Sequence, residues 1–207
     1  MIHVNRTSSP EILSKNAVTW THELLSETDP RKRTPIEKRY NKPQVRKALQ
    51  DMFHNKCAFC ERILRGGDRI EHFRPRKLFP ELTFDWSNLL LACEACNLKK
   101  SDSFPLTTIG ETTLNPTIDD PSQYLRFEID QNTGWVNVYG TDERGKLTIE
   151  LVDLNHVTLR RLRFNFIIRL MYLTKFASDN LQVKTELKDA FKDESEFAGS
   201  VLSLIHI

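Results

Sequence analysis

The stretch LACEACNLKK, Leu91 to Lys100, sets Cys93 and Cys96 at C-x-x-C spacing, follows them at once with Asn97, and places Lys100 three residues further on. A second pair, Cys57 and Cys60 in CAFC, lies upstream, with residues 61–92 in between. These two pairs account for all four cysteines of the chain. In a reducing compartment, two such pairs read as a metal site rather than as disulfides. Four thiolates make the tetrahedral shell that structural zinc favours, and a shell so filled has no open position for chemistry. A redox C-x-x-C would sit beside a βαβ unit, and the flanks show none.

The segment between the pairs has its own pattern. ERILRGGDRIEHF reads as two short strands joined at Gly66-Gly67, a hairpin signal. RPRKLFPELTFDWSN is a proline-broken loop, and LLLACEACNLKKSD is an apolar run entering a short helix. The expected order is strand, strand, loop, helix. On that helix Cys93 and Cys96 face the metal together, while Asn97 is turned ~100° away from Cys96. Asn97 can then point toward the strand that carries Glu71 and His72, and Lys100, at i+3, shares its side.

Acid, amide and histidine together have a chemical use. Carboxylate and amide oxygens are hard ligands that suit Mg²⁺ or Mn²⁺ better than zinc. A histidine beside them can act as a general base on water. Such a pairing of ion and base is a minimal phosphodiester hydrolase.

These residues carry a resemblance. IEHFRP, then WSNLLLACEACNLKK, is similar to the HNH endonuclease motif, the ββα-metal nuclease, in its variant with a four-cysteine zinc site. The match runs from Cys57 to about Asp102. The resemblance implies His72 as general base, Glu71 and Asn97 as ligands of a catalytic Mg²⁺ or Mn²⁺, and Asn88 as the residue that braces the loop and orients the histidine. It implies products with 5′-phosphate and 3′-hydroxyl ends. The sequence departs from the common pattern in two places: Glu71 stands where Asp is common, and Asn97 stands where the helix often has His. Segments outside the motif (MFHNKCAFCE, LNPTIDDP, TIELVDLN and LRRLR) resemble the HNH subunit of Septu antiphage systems, also found beside some retrons. That implies an ABC/SMC-like ATPase subunit as partner.

The rest of the chain frames the motif. SPEILSKNAVTWTHELLSE reads as a helix with Ile12, Leu13, Val18, Trp20 and Leu24 inward, DPRKRTP as a basic linker, and about Lys42 to Phe53 as a second helix with Val45, Leu49, Met52 and Phe53 inward. YLRFEID and WVNVYG alternate as a hairpin, and the chain is mostly helical from Leu147 onward. The expected fold is α+β and mostly helical, a ββα-metal module inside a helical frame. The expected division is residues 1–56, 57–105 and 106–207, packed as one compact unit.

With a net charge of +2 and 28% charged residues, the composition neither demands nor excludes a nucleic-acid partner. Local basic runs matter more. Arg74, Arg76 and Lys100 are candidate phosphate contacts to DNA, and Arg160, Arg161 and Arg163 a candidate DNA or partner face. His54 is a surface residue with a lesser claim on substrate, and Trp20 and Trp86 are core. No apolar run reaches the ~18 residues that span a bilayer, and MIHVNRTSSPEIL lacks a signal-peptide core, so no membrane role and a cytoplasmic site are expected. The H-x-E zinc deaminase pattern is excluded, because the acid directly precedes His72 and Ala92 precedes Cys93. Two other readings fit the same residues: a zinc-ribbon adaptor that cleaves nothing, and a nuclease acting on RNA such as tRNA.

Overall fold

A computed structural model describes residues 1–177 and 180–204. Three helices come first: α1 (Glu11–Ser26), α2 (Pro30–Glu37) and α3 (Pro43–Met52). The expected basic linker is thus a helix. Asp29 caps it by accepting from the Arg31 amide at 2.9 Å, and Pro30 occupies the first turn, where its missing N–H costs nothing. α1 buries Leu13 and Leu24, but Val18 is 85% exposed, so the inward stripe is narrower than the apolar spacing implies. α3 buries Val45, Leu49 and Met52, as its pattern predicts.

Next come strands β1 (Asp68–His72) and β2 (Leu89–Cys93), followed without a break by helix α4 (Glu94–Lys100). The strands are antiparallel, with Asp68 opposite Cys93 and His72 opposite Leu89. The expected hairpin across Gly66-Gly67 is therefore not the one formed. Residues 57–62 fold into a tight knuckle, in which the Cys57 amide donates to Arg62 O and the Glu61 amide to Cys57 O, both at 3.0 Å. Backbone groups used in the knuckle are not free for a ladder, and Ile63 keeps one isolated bridge, to Lys56. β1, the second of the two expected strands, pairs instead with the wholly buried apolar run, which forms β2, so the observed order is strand, loop, strand, helix.

Beyond the module, β3 (Leu125–Ile129) and β4 (Val136–Gly140) form the second hairpin where it is expected. Its turn passes through Gly134 at φ +71°, with Asp130 accepting from the Asn132 and Thr133 amides. Four helices complete the described chain: α5 (Glu143–Leu151), α6 (Val157–Thr174), α7 (Leu181–Ala190) and α8 (Ala198–Leu204). The fold is α+β and mostly helical. One cluster of buried residues runs from α1 through β2 to α8, and β2 lies within it, with α3 and α4 packed on it. No described helix is long and apolar enough to cross a membrane.

Candidate active site

Two sites share the β1–β2–α4 unit. The first is the cysteine cluster. The knuckle supplies Cys57 and Cys60; the end of β2 and the first turn of α4 supply Cys93 and Cys96. All four are buried, with their sulfurs within 4.8 Å of one another. Cys60 Sγ and Cys93 Sγ are 3.8 Å apart. Zn–S bonds of about 2.3 Å in a tetrahedron require sulfur separations of about 3.8 Å. The four side chains therefore fit a zinc ion. The Cys96 amide donates to Cys93 Sγ at 3.4 Å, so the ligand also caps the helix.

The second site is an open cavity of about 490 Å³ on the other flank of α4, lined by Glu71, His72, Asn97, Tyr40, Arg76 and Asp102 among others. Asn97 of α4 thus shares one space with Glu71 and His72, adjacent residues at the end of β1. His72 is 5% exposed, and its Nε2 lies 2.9 Å from Thr83 O. A carbonyl oxygen only accepts, so Nε2 carries the proton and Nδ1 is the basic nitrogen. Burial pushes the imidazole pKa down to about 4, against the bond to Thr83, and Arg76 and Lys100 lower it further. The ring is therefore neutral at pH 7, in the form a general base needs.

Asn88 holds the loop between the strands. Its Oδ1 accepts from the Arg74 amide at 2.8 Å, and its Nδ2 donates to Arg74 O at 3.0 Å and Leu82 O at 3.2 Å. The clamp fixes residues 73–88, and with them Thr83 and the imidazole it orients.

Glu71 is 6% exposed, and its Oε1 accepts from Lys100 Nζ at 2.6 Å. Burial pushes this carboxyl above its ordinary range, and Lys100 pulls it part of the way back. Lys100 has 0% exposure and donates also to His72 O at 2.8 Å. The expectation that Lys100 contacts phosphate does not agree with this position: it is an internal countercharge that ties α4 to β1. Glu71 and Asn97 together offer a carboxylate and an amide, hard oxygen donors whose chemistry fits Mg²⁺ or Mn²⁺.

The basic residues separate. Arg76 lines the cavity, whereas Arg74 is exposed and lies over the Phe79 ring at 5.6 Å. Arg161 is exposed and Arg160 lies over Trp135 at 5.1 Å. Arg163, expected on an outer face with Arg160, is 2% exposed. It lies over Phe127 at 5.7 Å; burial pushes its pKa down to about 10, against the opposing pull of Cys60, Glu61 and Cys96. Thiolates in excess of the charge on one Zn²⁺ give a physical reason for a cation buried there. His54 is exposed and lies outside the cavity. Trp86 is buried, its Nε1 donating to Thr7 O at 2.8 Å, and Trp20 packs edge-on against Phe84.

Sequence reasoning missed Tyr40 and Asp102, which line the cavity, and Thr83, whose carbonyl meets His72. Thr83 acts through its backbone, which no residue type reveals, and Tyr40 comes from a segment with no motif of its own.

Residues 57–103 match the family model described as HNH endonuclease. Over more of its length the chain is similar to two curated proteins, each named Septu protein PtuB. The one from Bacillus thuringiensis is 32% identical over 162 residues, which cover 76% of this chain and 56% of that relative. The one from Bacillus mycoides (strain KBAB4) is 29% identical over 200 residues, 79% of this chain and 66% of that relative. The chain thus spans little more than half the length of the first of these relatives. With the ββα unit, the cysteine cluster and the histidine cavity all inside or beside the matched segment, the chain carries an HNH endonuclease domain at residues 57–103.

Proposed function

We propose that this chain is a metal-dependent endonuclease that hydrolyses DNA phosphodiester bonds, with His72 as general base. The observation that carries the reading is the state of His72: a buried, neutral imidazole with its Nε2 proton committed to Thr83 O, in the same cavity as the oxygen donors of Glu71 and Asn97. A structural histidine has no need of a basic nitrogen beside two such donors.

In the reaction, water attacks phosphorus while its proton passes to Nδ1 of His72. A new P–O bond forms as the bond to the 3′ oxygen breaks, leaving 5′-phosphate and 3′-hydroxyl ends once that oxygen takes a proton from solvent. The Thr83 carbonyl supports the charge that His72 acquires, and Asn88 keeps that carbonyl in place. Glu71 and Asn97 would hold Mg²⁺ or Mn²⁺. Such an ion, when bound, stabilises negative charge on the phosphate and leaving oxygen. Arg74 and Arg76 would meet phosphate without reading sequence. Cys57, Cys60, Cys93 and Cys96 would hold zinc as structure.

The two relatives named Septu protein PtuB support a role as the nuclease subunit of an antiphage defence system; a cytoplasmic site and an ABC/SMC-like ATPase as partner are proposed from the resemblance alone. The weak net charge of +2 is consistent with DNA affinity that needs a partner's surface. The test is incubation of supercoiled plasmid, and separately of structured RNA, with wild-type protein and His72→Ala in Mn²⁺ or Mg²⁺, with and without the ATPase. The reading expects plasmid cleavage with 5′-phosphate ends that is lost in His72→Ala. Cleavage of RNA alone would replace the substrate, and full plasmid cleavage by His72→Ala would remove the base.

A further inference from the structure

The HNH match begins at residue 57, but the imidazole is not held by that segment alone. Tyr40 stands against it: the two ring centroids are 4.6 Å apart and the planes cross at 89°. Tyr40 closes the 3₁₀ turn Lys38–Tyr40 between α2 and α3 and also lines the cavity. Its turn is fastened to β1. Asn41 Oδ1 accepts from Arg46 Nη2 at 2.9 Å, and Arg46 Nη1 donates to Asp68 O at 2.9 Å and pairs with the Asp68 carboxylate. Asp68 begins the strand that ends in His72. Over the Tyr40 ring, at 5.7 Å, lies the guanidinium of Arg76, which also approaches Glu37 of α2 at 3.7 Å.

We infer that Tyr40 is a positioning residue for His72, supplied to the nuclease site by the helical segment ahead of the HNH domain. An imidazole held by one hydrogen bond can still swing about that bond. A ring packed edge-to-face beside it leaves a single orientation, with Nε2 on Thr83 O. The same ring carries Arg76 on its face, so Tyr40 sets the spacing between the base and a cation that can meet phosphate. No hydrogen bond from the Tyr40 hydroxyl is made to the described residues, so the ring acts by its shape and edge.

The inference rests on the nuclease reading for its kinetic arm only. The full chain is prepared as wild type, Tyr40→Phe, Tyr40→Ala, Tyr40→Leu and His72→Ala, with zinc content and melting temperature matched. Plasmid cleavage gives kcat and KM. Long-range ¹H–¹⁵N correlation of the imidazoles gives the tautomer of His72, assigned by difference from His72→Ala. Tyr40→Ala and Tyr40→Leu are expected to lower kcat roughly tenfold to a hundredfold with KM little changed, as a misplaced group does. Tyr40→Phe is expected to keep wild-type rates. In the spectra, the single Nε2–H tautomer of wild type and Tyr40→Phe becomes a mixture in Tyr40→Ala and Tyr40→Leu. Wild-type kcat together with an unmixed tautomer in Tyr40→Leu would overturn the inference, and so would a Tyr40→Phe variant as impaired as Tyr40→Ala. Wild-type protein that cleaves neither DNA nor RNA would sink the nuclease reading, and the tautomer spectra would then decide the role of Tyr40 by themselves.

Discussion

The two flanks of α4 make different use of the same short helix. On one side Cys96 joins three other buried thiols whose sulfurs lie within 4.8 Å of one another, enough to fill a tetrahedral metal shell. On the other, one residue along, Asn97 faces an open cavity that holds a histidine, a carboxylate and arginines. The first offers sulfur from buried side chains; the second offers oxygen and nitrogen around an open cavity. A ~100° step along a helix is enough to separate them. Fixing that helix at its N-terminus through Cys93 and Cys96 also fixes where Asn97 and Lys100 lie. The closed site thereby sets the geometry of the open one.

The sharpest way to break this comparison is to remove the sulfur side. Cys93→Ser should abolish zinc binding and unfold the module, because structural zinc is worth about 10–16 kcal/mol in small zinc modules, as much as a whole domain's stability. Metal analysis and circular dichroism would check it, and a folded Cys93→Ser protein with an intact cavity would show the two flanks to be independent. Changing only the oxygen side should do the reverse. His72→Ala should lower cleavage by roughly a hundredfold to ten-thousandfold, the usual scale for a general base, with zinc content unchanged.

Lys100 lies on the oxygen side, against Glu71 and the His72 carbonyl. Lys100→Met should cost about 3–5 kcal/mol, since it leaves Glu71 buried without its partner. Denaturant unfolding would measure it, and a variant as stable as wild type would mean that Glu71 needs no countercharge. Asn88→Ala should cost about 1–3 kcal/mol for the backbone groups it leaves unpaired. Its cleavage rate should fall while zinc stays bound, because the loop it clamps carries Thr83. The smallest effect belongs to the rim. Arg76→Ala should weaken nucleic-acid binding and reduce the salt slope by about one charge, read by binding across a salt series.

The legible parts of the molecule are those in which residue type is itself the ligand. Four cysteines in two pairs specify their cluster, and Glu71, His72 and Asn97 sit at spacings that bring them into one space. The pairing of β1 was harder to read. Gly66-Gly67 is a turn signal, yet the neighbouring knuckle uses the backbone that a hairpin would need, so a tertiary demand overrides a local one. Charge was legible in kind and not in place. Lys100 and Arg163 read as surface cations, but one is buried against a carboxylate and the other beside the thiols. Basic residues are usually exposed, and only the partner's position, which comes from the fold, reverses that expectation. Tyr40 was illegible for the same reason: its contact with His72 depends on how α2 and α3 seat against β1.

The central claim is that one helix divides two metal sites of different chemistry, and the most direct measurement is manganese binding by zinc-loaded protein, followed by electron paramagnetic resonance. Wild type, Glu71→Ala, Asn97→Ala and His72→Ala would be compared, with zinc determined in each sample. The account predicts one Mn²⁺ bound by wild type and by His72→Ala, lost or much weakened in Glu71→Ala and Asn97→Ala, with four-thiolate zinc unchanged throughout. Manganese binding that is indifferent to both Glu71 and Asn97, or that follows the cysteines instead, would contradict it.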